Sequence, residues 1–254
     1  MAETRHLTSE DPMRLIHSQR NEQGSTDNPA TARKRRRAGI YLLPNLFTTG
    51  SLFAGFYGIV AAINSHFELA AIAVLVAMLL DGLDGRVARL TNTQSDFGAE
   101  YDSLADMASF GLAPALIVYY WSLSGLGKLG WLAAFLYSAS AALRLARFNT
   151  QAGSSDKRFF QGLPSPAAAA LLSALIWCGS IYDFRESDVA GMATLLVTIA
   201  TALLMVSNFR YHSFKDLDLR GRVPFVSILA VVMAFVLISL EPATVILVIF
   251  VAYI

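Results

Sequence analysis

The chain is dominated by apolar runs of membrane-spanning length. A helix that crosses a bilayer needs about 20 mostly apolar residues. The candidates are Tyr41–Asn64, Phe67–Leu90, Gly98–Leu123, Leu129–Phe148, Pro164–Tyr182, Val189–Asn208, Val223–Leu240 and Ala243–Ile254, the last with only 12 residues. Lipid offers no hydrogen bonds to the backbone, so such runs satisfy their own N–H and C=O groups by forming helices. The expected fold class is all-α: a polytopic membrane helix bundle of about eight transmembrane helices. Hydrophobic residues make up 55% of the 254 positions and charged residues 15%, a balance that excludes an ordinary soluble domain. The single cysteine, Cys178, lies in an apolar run, so no disulfide can form within the chain.

Residues 1–39 differ from the rest. They are polar, rich in Arg, Ser, Thr, Asn and Gln, and contain no apolar run of the kind a secretory signal needs. They read as a disordered basic tail ahead of a membrane domain at 40–254. The tail ends in Arg33-Lys34-Arg35-Arg36-Arg37, next to the first apolar run. A nucleic-acid patch is one reading of such a run. With a net charge of only +1, the better reading is a flank held near anionic lipid headgroups, with no nucleic-acid partner.

Lys and Arg also set the orientation. With the N-terminus cytoplasmic and the spans alternating, the inner segments hold Arg33 to Arg37, Arg86, Arg89, Arg144, Arg147, Lys157, Arg158, Arg210, Lys215, Arg220 and Arg222. The outer segments hold only Lys128 and Arg185. This is the bias that membrane proteins show. Asp81 then lies about 21 Å along the second span at the helical rise, deep towards the cytoplasmic leaflet.

That position matters because DGLDGRVARLTNTQSDFGAEYDSLAD, Asp81 to Asp106, is the one acidic stretch among the spans. At about 100° per residue, Asp81, Gly82, Asp84, Gly85, Ala88 and Arg89 fall on one face of the second helix. Leu80, Leu83, Val87 and Leu90 fall on the other. Across a turn over Thr91–Asp96, capped by Ser95 or Asp96, Asp102 and Asp106 are i,i+4 neighbours on the third helix, with Gly98 one turn earlier. Asp96 and Glu100 lie off this pattern. Four carboxylates on two joined faces repel one another and need countercharge. Oxygen ligands without His or Cys suit Mg²⁺, Ca²⁺ or Mn²⁺ rather than zinc, and His6, His17, His66 and His212 show no ligand spacing. Glycines let a bulky ligand approach the backbone. A hard cation beside small residues and an arginine points to a phosphate or pyrophosphate substrate. Helix packing alone explains the glycines but not the four aspartates. A divalent-cation transporter is the rival from another class, but it would place its acids near the bilayer midplane.

Asp81, Asp84, Gly85, Ala88, Arg89, Gly98, Asp102 and Asp106 stand at the spacing D-x-x-D-G-x-x-A-R, eight residues, G, three residues, D, three residues, D. This resembles the signature of the CDP-alcohol phosphatidyltransferase family, with every fixed position present. The resemblance implies that Asp81, Asp84 and Asp102 bind a divalent cation, Mg²⁺ or Mn²⁺. It implies that Asp106 shares in metal binding and is the general base, and that Gly82, Gly85, Ala88, Arg89 and Gly98 hold CDP. Asn45 and Thr48, one turn apart at the start of the first span, are expected on the phosphates or the nucleotide. Helix capping after Pro44 is the alternative for them.

The aspartate signature leaves the acceptor alcohol open. Leu43-Pro44-Asn45-Leu46-Phe47-Thr48-Thr49, Arg144-Leu-Ala-Arg147-Phe-Asn149 and Phe160-Gln161-Gly162-Leu163-Pro164-Ser165-Pro166-Ala167 resemble the integral-membrane, serine-using branch of the family over about Tyr41 to Arg222. That implies transfer of a phosphatidyl group from CDP-diacylglycerol to L-serine, on the cytoplasmic face of a membrane lipid bilayer, by a homodimer. A serine carboxylate suits an arginine fork, and Arg144 and Arg147 are the expected pair. The same pair would also suit glycerol 3-phosphate or an inositol compound, or serve as positive-inside anchors.

Overall fold

A computed structural model describes residues 29–91, 93, 95–151, 159–184, 188–208, 210–212, 233, 236–237 and 239–253. The elements in chain order are α1 (Pro29–Ile63), α2 (Phe67–Thr91), α3 (Asp96–Trp121), α4 (Lys128–Gln151), β1 (Phe159–Gln161), α5 (Ser165–Ile181), α6 (Asp188–Val206), β2 (Arg210–His212) and α7 (Pro242–Tyr253). The chain divides into two units, Met1–Tyr41 and Leu42–Ile254. Of the first, residues 29–41 are described, and they are helical. The segment expected as a tail is thus helical from Pro29, and residues 1–28 lie outside the described ones.

Among the described residues, four stretches are long and apolar enough to cross a membrane: Pro44–Ile63, Asp96–Trp121, Lys128–Thr150 and Val189–Val206. The expected number was about eight. The difference has physical causes. α2 has the length, but its last turns carry Asp81, Asp84, Arg86 and Arg89, so its end is a polar surface rather than a lipid-facing one. α5 is apolar but has only 17 residues, and most of them are buried within protein rather than facing lipid. α7 has 12 residues. The expected span Val223–Leu240 lies largely outside the described residues.

The second unit is built around α5. Ala167 to Leu172, Ala174 and Ile176 are buried, and α5 packs against α2 and α7 while α4 packs against α6. Much of this core is alanine, including Ala70, Ala71, Ala77, Ala113, Ala168 and Ala202. Small residues let helix backbones approach closely where lipid supplies no hydrophobic drive for association. Many of the large apolar side chains point the other way. Phe53, Phe56, Leu79, Phe135, Leu143 and Leu196 are exposed, as expected of side chains that meet acyl chains. Cys178 is buried and free.

Two short strands depart from the all-α expectation. β1 and β2 pair antiparallel, with Phe160 opposite Tyr211, and the Leu163 N–H donates to the Leu204 carbonyl at 3.0 Å. Gly162 makes this possible. Its φ is +81°, and a Cβ there would collide with the Met205 carbonyl, so no other residue fits. The link between α4 and α5 is thereby fastened to the end of α6.

Candidate active site

The site begins where two helices are joined by a short turn. α2 ends at Thr91 and α3 starts at Asp96, with Ser95 as its N-cap accepting from the Gly98 N–H at 3.1 Å. This satisfies a donor that the first turn of α3 would otherwise leave open. The turn brings the last turns of α2 beside the first turns of α3. One carboxylate oxygen from each of Asp81, Asp102 and Asp106 lies within 4.8 Å of the others.

Asp84 is held differently. Its Oδ2 accepts a hydrogen bond from Thr48 Oγ1 at 2.7 Å, and both residues are 5% exposed. The same hydroxyl lies 3.2 Å from the Pro44 carbonyl. Thr48 was expected on a phosphate or nucleotide; in the structure its hydroxyl is occupied by Asp84. Its neighbour Asn45 does reach the predicted constellation: a Cβ on Gly98 would sit 3.6 Å from Asn45 Oδ1.

The glycines divide the site into a closed and an open side. Gly98 is backed by Ser95 and Asn45, whereas a Cβ on Gly82 or Gly85 would meet nothing within 4 Å. Both are exposed, as is Arg89, and Ala88 is half-buried with its carbonyl accepting from the Thr93 N–H at 3.1 Å. Gly82, Gly85 and Arg89 therefore border free space beside the acids.

The donor set fits a hard divalent cation. Three like charges at these separations cost roughly 3.5 kcal/mol or more per pair at an effective dielectric of about 20. Oδ1 of Asp102 and Oδ1 of Asp106 are buried with no hydrogen-bond partner. Buried acceptors of this kind are rare unless something else satisfies them, and a cation with oxygen ligands would do so.

Directly after Asp106, α3 changes its winding. Met107–Leu112 is a π-helical turn, closed by an Ala113 N–H to Ala108 carbonyl bond. Such turns loosen the hydrogen-bond ladder and recur at functional sites. α4 engages the carbonyls: Tyr137 Oη donates to Phe110 O at 3.2 Å, and Ser138 Oγ donates to Gly111 O at 3.1 Å. From the other side, Ser109 Oγ donates to Ser51 O at 3.1 Å. Gly55 permits that approach, since a Cβ there would lie 2.8 Å from the Ser109 Cα. Asp106 thus stands at the edge of a segment clamped by α1 and α4. The sequence carries no sign of the π turn itself. The polar Tyr137 and Ser138 inside the apolar run of α4 are the sequence features that answer to these contacts.

The two arginines expected to act as a pair are separated in task. Arg144 Nη1 donates to Ser165 Oγ at 2.9 Å, and its Nε is buried with no partner. The guanidinium lies within electrostatic reach of Asp106. Arg147 Nη2 instead donates to Asn208 Oδ1 at 3.0 Å, tying α4 to the end of α6. Asn149 Nδ2 donates to Ser103 Oγ at 3.0 Å, tying α4 to the acid-bearing turn of α3. Ser103 was not singled out by sequence, and Ser165 figured there only as one member of the motif that precedes α5.

Comparison with known proteins agrees with this geometry. The sequence profile of the CDP-alcohol phosphatidyltransferase family matches residues 41–254. The chain is 44% identical over 176 residues to a CDP-diacylglycerol–serine O-phosphatidyltransferase of Helicobacter pylori, covering 69% of this chain and 74% of the relative. It is 37% identical over 180 residues to a Mycobacterium bovis protein of the same name, covering 65% and 62%. A third of that name, from Bacillus subtilis, is 32% identical over 173 residues, covering 68% and 91%. The chain belongs to the CDP-alcohol phosphatidyltransferase family. It is an integral membrane enzyme of phosphatidyl transfer, and its cluster of aspartates suits the divalent cation on which that chemistry depends.

Proposed function

We propose that this enzyme transfers the phosphatidyl group of CDP-diacylglycerol to the hydroxyl of L-serine, giving phosphatidylserine and CMP. The observation that carries the reading is the meeting of Asp81, Asp102 and Asp106 within 4.8 Å, with an unpartnered buried oxygen on each of the last two. Asp81, Asp84, Asp102 and Asp106 would hold Mg²⁺ or Mn²⁺. When bound, the cation supplies charge neutralisation to the pyrophosphate and makes CMP a better leaving group.

The chain's own residues do the rest. Gly82, Gly85, Ala88 and Arg89 line the open side where CDP docks, Gly98 and Asn45 close the opposite side against it, and the missing Cβ atoms of Gly82 and Gly85 leave room for it. Thr48 acts on Asp84 rather than on the nucleotide. Asp106 takes the proton of the serine hydroxyl as its oxygen attacks the phosphorus that carries diacylglycerol. The bond from that phosphorus to the CMP oxygen breaks, and CMP leaves. Arg144 and Arg147 are the cationic groups nearest this chemistry on α4. Arg144, whose Nε is buried without a partner, receives the serine carboxylate, and Arg147 holds the end of α4 in place.

Serine is favoured over other alcohols by two observations: relatives at 44%, 37% and 32% identity carry the serine enzyme's name, and Arg144 suits a carboxylate. The distribution of Lys and Arg supports an active site on the cytoplasmic face, with the N-terminus on the same side. The direct test is CMP release from CDP-diacylglycerol by the purified protein with Mn²⁺ or Mg²⁺ and each alcohol in turn. Serine is expected to support release. Release with glycerol 3-phosphate or an inositol compound, and none with serine, would overturn the acceptor assignment.

A further inference from the structure

We propose that Ser165 is a positioning residue, whose hydroxyl keeps Arg144 aimed at the acceptor and away from Asp106. The proposal rests on the reading of Arg144 as the group that receives the acceptor carboxylate.

The Arg144 guanidinium lies within electrostatic reach of Asp106, yet its hydrogen bond goes to Ser165. Both have an unspent polar atom: Nε of Arg144 and Oδ1 of Asp106 are buried without a partner. An arginine and a carboxylate that come within reach of one another readily close into a bidentate pair. Ser165 offers the competing contact. Its Oγ accepts from Nη1 at 2.9 Å, and the residue is 3% exposed. It is the first residue of α5, set between Pro164 and Pro166, whose rings fix the backbone on both sides. The hydroxyl is therefore a rigid post rather than a mobile partner.

The consequence is chemical. With Nη1 tied to Ser165, the remaining N–H groups of the fork stay open for an incoming carboxylate, and Asp106 stays open for the hydroxyl proton. Without the hydroxyl, Nη1 has no partner in a half-buried site, which is costly. Rotation onto Asp106 relieves that cost and closes the acceptor site and the base together.

The test compares Ser165→Ala, Ser165→Thr and Arg144→Gln in the purified full chain, measuring KM for serine, KM for CDP-diacylglycerol, and CDP binding by calorimetry. Ser165→Ala is expected to raise the serine KM by about tenfold, the equivalent of about 1.4 kcal/mol. Its CDP-diacylglycerol KM and CDP affinity should stay within about twofold of the parent enzyme, which also shows that the variant folds. Ser165→Thr keeps the hydroxyl and is expected to retain most of the serine affinity. An unchanged serine KM in Ser165→Ala, or an equal loss of CDP binding, overturns the proposal. The two readings separate in Arg144→Gln. If that variant raises the serine KM and Ser165→Ala does not, only the role of Ser165 fails. If Arg144→Gln leaves the serine KM unchanged, the acceptor reading fails, and the Ser165 proposal with it.

Discussion

Replacing Thr48 by valine removes one hydroxyl and almost no volume, so it isolates the Thr48–Asp84 hydrogen bond. The bond is 2.7 Å long and joins two residues that are each 5% exposed. A hydrogen bond to a charged group contributes about 1.5–3 kcal/mol net. Its loss frees the Asp84 carboxylate to turn away from the other three acids. Residues that orient a metal ligand typically contribute 10- to 100-fold in metal affinity. Thr48→Val is therefore expected to weaken Mn²⁺ binding by roughly tenfold or more, read from the spin-resonance signal of free Mn²⁺ in a titration of the purified protein. Thr48→Ser keeps the donor and should bind Mn²⁺ within about threefold of the parent, given the modest cost of one lost methyl group. Parental Mn²⁺ affinity in Thr48→Val would refute the reasoning. Equal loss in both variants would do so too, because the methyl rather than the hydroxyl would then be responsible.

Three further outcomes are expected. Asp106→Asn should abolish CMP release while leaving CDP binding largely intact; normal turnover would remove Asp106 from the base role. Gly85→Ala adds a Cβ that meets nothing beyond its own helix within 4 Å, and alanine is the better helix former, so its thermal midpoint should not fall while CDP binding weakens; unchanged CDP affinity would mean that the nucleotide docks elsewhere. Gly55→Ala drives a Cβ into Ser109 and is expected to cost about 1–3 kcal/mol of stability by overpacking, seen as a lower thermal midpoint. A parental midpoint there would show that α1 and α3 separate easily.

Much of the site was legible because its residues obey helical spacing. Asp81 and Asp84 at i,i+3, Asp102 and Asp106 at i,i+4, and the Ser95 cap follow from local geometry, and the structure brings Asp81, Asp102 and Asp106 together as that geometry implies. The number of spans was less legible. Hydropathy responds to apolar length, and it cannot tell a helix facing lipid from one enclosed by protein, as α5 is. Contacts between distant segments left no trace in spacing. Thr48 with Asp84, Arg144 with Ser165 and Tyr137 with Phe110 are separated by 36, 21 and 27 positions. The β1–β2 pairing was hidden for the same reason: three-residue strands carry too little alternation to register.

The π turn in α3 has a consequence for how such a helix can change over evolutionary time. A π turn takes up one more residue than an α turn while completing the same full rotation over a similar rise. The stretch before Met107 presents Asp102 and Asp106 to the site, and the stretch after Leu112 presents Ile117, Val118 and Trp121 to the core. Removing a single residue within Met107–Leu112 would close the segment into an ordinary α turn and leave the acids facing as they do relative to the packing that anchors them. What would be lost is the loosened ladder whose Phe110 and Gly111 carbonyls accept from Tyr137 and Ser138. The π segment is therefore the one place in this helix where a residue can be lost without turning the acid-bearing face; elsewhere a deletion turns it by about 100°.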